Sequence, residues 1–148
     1  MFLEGQLLYF KPFYFKNSNS PKNKYFIILK SMEENTIVAS LPTSINNAPS
    51  LITTYGCIDI PEKQFNCFVF AKNIPICDNE ECFPRDTHVY GEQIEAYTYD
   101  QLTAGKVLVD GIDYEVIGNF KKDVFTSLLD CIKTSNAIKA RVLKLLKD

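Results

Sequence analysis

The chain predicts a β-rich α+β fold: a small barrel or strongly bent antiparallel sheet with one or two C-terminal helices. Three observations lead there. Over the first ~115 residues, short apolar runs alternate with turn signals. Aromatic residues make up 13% of the chain, as 11 Phe and 8 Tyr with no Trp, a bias that suits strands. Past Gly118-Asn119, a helical apolar stripe replaces that rhythm.

The elements follow in order. Gly5 to Lys11, "GQLLYFK", reads as a first strand that Pro12 ends or places at an edge. "KNSNSPKN" (16–23) is a loop by composition. Tyr25 to Lys30 is a continuous apolar run, so the second strand is expected to be buried on both faces. "SMEEN" turns the chain into a third strand, Thr36 to Leu41. Residues 42–54 read as irregular. "TYGCIDI" and "NCFVF" follow as strands, then a long loop, "KNIPICDNEECFPRD". "THVYGEQIEAYT" holds a strand interrupted at Gly91. "KVLVDGIDYEVIG" reads as a hairpin, with Val107 to Val109 turning at Asp110-Gly111 into Tyr114 to Ile117. Phe125, Leu128, Leu129 and Ile132 form a helical stripe behind a candidate N-cap at Asn119. Ser135 or Asn136 breaks the pattern, and Ile138, Val142, Leu145 and Leu146 resume it among lysines. Residues 1–148 thus form one domain, with a β part (1–118) and a helical part (119–148).

At 148 residues, 46% hydrophobic and 23% charged, the chain can bury a real core. The net charge of −2 excludes a polycation, so any nucleic-acid reading rests on local charge. Residues 1–30 carry five lysines against one glutamate, residues 59–100 carry nine acids against three bases, and residues 119–148 carry seven bases against three acids. No basic n-region opens the chain, and no apolar run approaches the ~18 residues of a membrane span. The five cysteines are odd in number and scattered, which reads as reduced thiols in a cytoplasmic protein.

The order "G-x-L-L-Y-F", basic loop, "K-Y-F-I-I-L", "I-V-A-S-L-P-T-S", a cysteine- and aromatic-rich strand and a closing helix after "V-I-G" resembles the PemK/MazF-type toxins over residues 4–135. That resemblance implies an SH3-like barrel of a toxin–antitoxin system, usually a homodimer. It also implies cleavage of single-stranded RNA with no cofactor or metal, and capture by an acidic, partly disordered antitoxin peptide. In the family a basic residue opens the second strand, typically arginine before proline. Lys24 and Tyr25 stand there, so lysine replaces the family's arginine. The family's hydroxyl position falls on Thr43, or on Ser44 with a slip of one residue. Some members add an Arg and an Asp, and Arg85 and Asp86 lie nearby without matching that spacing.

The residue types suit the chemistry. In metal-free RNA cleavage the ribose 2′-OH attacks its own phosphate. The site must neutralise the charge that builds there and protonate the departing 5′-oxygen. Lys24 is the candidate phosphate clamp, with Thr43 and Ser44 as hydroxyl donors. A surface lysine flanking a strand, and hydroxyls that cap a turn after Pro42, are the plainer readings. Lys16, Lys22, Phe13 and Tyr14 mix cations with rings, as single-strand RNA binders do. The same rings also suit a barrel core.

His88, the single histidine, has the intrinsic pKa of a general base but matches no family position. Cys77 and Cys82 sit at the edge of zinc-ligand spacing without a second short pair, and read rather as small apolar residues. The acids of 78–86 lack the spacing and glycine of a calcium loop. No phosphate-binding glycine loop, dinucleotide fingerprint or nucleophile elbow is present. A barrel that binds RNA or a peptide without cutting it is the alternative function.

Overall fold

The computed structural model describes residues 2–14, 20–41 and 55–148. Among these, with short 3-10 turns at Pro61–Lys63 and Gly91–Gln93, eight strands and three α-helices follow one another. They are β1 Gln6–Phe13, β2 Lys22–Ser31, β3 Thr36–Ser40, β4 Gly56–Ile60, β5 Phe65–Phe70, β6 Thr87–Tyr90, β7 Ile94–Tyr97, α1 Tyr99–Thr103, β8 Tyr114–Asn119, α2 Lys122–Lys133 and α3 Ala140–Lys147. The strands form two antiparallel sheets, one of five strands in the order β7-β3-β2-β1-β8 and one of three in the order β4-β5-β6. The β-rich α+β class and the C-terminal helices are as the sequence predicts.

The apolar run of β2 explains the layering. Successive side chains of a strand point to opposite faces. Ile27 and Leu29 enter one core, with Leu7, Ile37, Phe68, Phe70 and Val89 from both sheets and Leu128, Ile132, Val142 and Leu146 from the helices. Phe26 and Ile28 enter a second core with Phe2, Leu8, Phe10, Phe13, Val38, Tyr97 and Leu102. The five-stranded sheet is therefore buried on both faces, as the unbroken apolar run requires.

Four local expectations are corrected. Pro12 does not end β1: the strand runs to Phe13, with a register shift between Phe10 and Phe13. Asn119 is not a helix cap but the last residue of β8, paired with Gln6, and its carbonyl accepts the Asp78 N–H at 2.9 Å. Val107 to Val109 form no strand. The Asp113 carboxylate accepts the Val109 N–H at 2.7 Å, and the local turn this closes replaces the ladder. Finally, the cysteines are not all reduced. Cys57 of β4 and Cys131 of α2 form a disulfide with Cα atoms 5.5 Å apart, and Cys67, Cys77 and Cys82 are free. The two bonded cysteines are 74 positions apart, which leaves no local spacing to read.

No helix among the described residues is long and apolar enough to cross a membrane.

Candidate functional site

Lys24 lies on β2 just before the buried run, opposite Phe10 in the β1 ladder. Alternation places it on the face of Phe26 and Ile28, at the margin of the second core. Its ammonium is half-buried and donates to the Leu41 carbonyl at 2.8 Å. Leu41 is held in turn: its N–H donates to the Tyr25 carbonyl at 3.0 Å. Burial, and then the neighbouring Lys22 ammonium, lowers the Lys24 pKa below the ordinary lysine value. An ammonium has three N–H donors, so the bond to Leu41 leaves donors for an anion.

Leu41 immediately precedes Pro42-Thr43-Ser44 in the chain. Thr43 and Ser44, like Lys16, lie outside the described residues. The structure thus places the Lys24 ammonium on the last described residue before the hydroxyl pair. Lys22 is exposed and pairs with Phe13 in the ladder.

Phe13 does not match its expected use as an RNA platform. It is buried, with its ring 4.5 Å from Phe26 and 5.3 Å from Phe10 between centroids. No face of that ring remains for a base, because the second core needs it more. Tyr14 is exposed, and the Lys106 ammonium sits 3.7 Å from its ring centroid. One side of Tyr14 is therefore engaged by a cation–π contact within the molecule. Lys106 went unread because it lies 92 residues beyond Tyr14.

The opposite face of the same strands carries a second polar group that sequence reasoning also missed. Tyr9 and Tyr25 pair across β1 and β2 with rings 4.5 Å apart. Beside them Lys11 bridges to Glu115 at 2.5 Å. Burial, with the Tyr9, Glu115 and Glu81 groups adding to it, raises the Tyr25 pKa. Adjacent strand residues face opposite ways, so this pair and Lys24 are on different faces.

His88 lies in β6, in the other sheet. Its ring stacks on Tyr90 with centroids 5.9 Å apart, and Nε2 is buried without a hydrogen-bond partner among the described residues. Burial lowers its pKa, and the Asp86 carboxylate partly offsets that. Asp86 itself accepts the Lys72 N–H at 2.9 Å and the Tyr55 hydroxyl at 3.2 Å, so it organises the strand entry. Neither residue is brought to Lys24 by the sheet topology. Among the described residues no three His, Cys, Asp or Glu side chains gather as metal ligands. Burial pushes the Cys77 thiol up to about 11 and the Cys67 thiol up to about 12, so neither is an activated nucleophile. In the acidic loop, Glu80 bridges to Lys121 at 3.6 Å.

No family model, no curated protein and no solved structure matches the chain.

Proposed function

We propose that the protein is a metal-independent endoribonuclease of the PemK/MazF type, the toxin of a toxin–antitoxin pair, cutting single-stranded RNA. One observation carries this reading: the half-buried Lys24 ammonium rests on the Leu41 carbonyl, at the end of β3 from which Pro42-Thr43-Ser44 continues.

In this reading the 2′-OH gives up its proton to solvent, its oxygen bonds to phosphorus, and the phosphorus–5′-oxygen bond breaks. Lys24 neutralises charge on the phosphate oxygens, and Thr43 or Ser44 donates a hydrogen bond to them. The lowered pKa of Lys24 also suits proton donation to the departing 5′-oxygen. Lys16 and Lys22 hold flanking phosphates. Tyr14 offers its remaining ring face to a base, with Lys106 beside it. A homodimer, a cytoplasmic setting and an acidic antitoxin peptide complete the proposal.

The test is cleavage of single-stranded RNA in EDTA. Lys24→Ala is expected to lower the rate on the order of 10²-fold, as loss of one transition-state donor does. Thr43→Ala and Ser44→Ala locate the hydroxyl, and one of them should fall similarly. Activity that disappears with EDTA, or that survives Lys24→Ala intact, would defeat the proposal.

A second reading keeps the fold and drops the catalysis. It is favoured by the structural employment of Lys24, which already serves the Leu41 carbonyl. RNA or peptide binding that is retained without any cleavage would decide for it.

A further inference from the structure

Among the described residues, β4 is an edge strand with one hydrogen-bonded neighbour, β5. None of its five residues is fully buried, whereas five of the six in β5 are. Apolar packing therefore does little to fix β4. Three links to the helical region do so instead. The Cys57–Cys131 bond joins β4 to α2. Asn66 of β5, itself buried, donates through Nδ2 to Asp59 Oδ1 and to the Cys131 carbonyl, each at 3.1 Å. Asn136 Nδ2 donates to the Pro61 carbonyl at 3.2 Å. Gly91 packs into this joint: a Cβ there would stand 2.6 Å from Ile138 Cδ1 and 3.1 Å from Asn66.

The two ends of the bond differ in access. Cys57 is exposed, while Cys131 is 3% exposed. Asn66 Nδ2 also lies 3.5 Å from Cys131 Sγ and helps to close that sulfur off from solvent. Access therefore selects the point of attack, because a thiolate can reach the Cys57 sulfur and not the Cys131 sulfur. We infer that the Cys57–Cys131 disulfide is a thiol-cleavable latch, opened by attack at the Cys57 sulfur, whose opening releases β4 from α2.

The chemistry closes. One thiolate of a dithiol reductant bonds to Cys57 Sγ, and the Sγ–Sγ pair departs on Cys131 Sγ, which takes up a proton. The second thiol of the reductant then attacks its own mixed-disulfide sulfur. Cys57 leaves as a thiol, and the reductant ends as a disulfide. Cys67, fully buried and free, has a thiol raised to about 12 and does not enter the exchange as a thiolate. The inner core, built from β5, β6 and the helices, remains when the latch opens.

The test uses the full chain with dithiothreitol, and none of its readouts involves RNA, so it stands apart from the nuclease proposal. Thiol titration in denaturant should count the three free cysteines before reduction and all five after it. Under native conditions iodoacetamide should tag Cys57 of the reduced protein before Cys131. Amide exchange in β4 should then quicken roughly tenfold or more while β1 to β3 stay protected. Cys57→Ser should show the same fast exchange without reductant. Five titratable thiols before reduction would overturn the inference. So would unchanged β4 exchange in both the reduced protein and the variant, or cleavage no faster than global unfolding.

Discussion

β2 and β4 are both strands in antiparallel sheets, yet they are fixed in different ways. β2 has a strand on either side and sends alternate residues into two separate cores. Among the described residues β4 has one neighbour, no fully buried residue, and a covalent tie to a helix 74 positions later. The first is held by burial, which is written locally as an apolar run. The second is held by point contacts between groups far apart in sequence. The difference teaches where each half of the molecule is vulnerable: β2 to loss of volume, β4 to loss of single links.

The strongest way to break that comparison is Phe26→Ala. Phe26 is fully buried, with its ring 4.5 Å from Phe13 and 5.3 Å from Phe10. Truncation should cost about 3–5 kcal/mol in urea unfolding, through lost transfer energy and the cavity left behind. Ile58→Ala on half-buried β4 should cost well under half as much. Equal costs would mean that β4 is anchored by packing after all. Next in size is Asn66→Ala. It strips hydrogen bonds from Asp59 Oδ1 and the Cys131 carbonyl, and should cost about 1–3 kcal/mol. Faster amide exchange confined to β4 and α2 would sharpen the comparison, while a uniform loss across both sheets would blunt it.

The same contrast explains what was legible in the sequence. The β2–β3 hairpin could be read because period, length and turn residues agreed over one continuous stretch. The stripe at Phe125, Leu128, Leu129 and Ile132 likewise gave α2, although its start was misplaced. Asn119 has the residue type of a cap, but its backbone is claimed by Gln6 on one strand and by Asp78 from the loop. Local chemistry cannot show such a claim. Helix α1 was missed although its signal was present: Thr98 and Gln101 form a reciprocal capping box. At the candidate site the residue type of Lys24 was readable, but its partner, a carbonyl 17 residues on, was not. Phe13 was ambiguous because a ring beside lysines looks the same whether it serves a core or a base.

The smallest effect concerns two desolvated bases, one in each sheet. Burial lowers the pKa of Lys24 in the five-stranded sheet and of His88 in the three-stranded sheet. A base whose pKa is lowered by folding is protonated first in the unfolded chain, so stability falls as pH falls toward and below its ordinary value. For His88 that window opens at 6.5 and runs downward, and the Asp86 charge narrows it. For Lys24 the matching window lies below 10.5, so neutral solution already carries its cost and alkaline solution relieves it. The urea midpoint should therefore decline between pH 7 and pH 5.5 in the wild-type protein, and less steeply in His88→Gln. Lys24→Met should leave that acid slope alone and steepen the alkaline decline that the raised Tyr25, Cys67 and Cys77 pKa values impose, because the opposing Lys24 contribution is gone. If His88→Gln kept the full acid slope, the buried Nε2 would not be what resists the proton, and the two sheets would not answer pH separately.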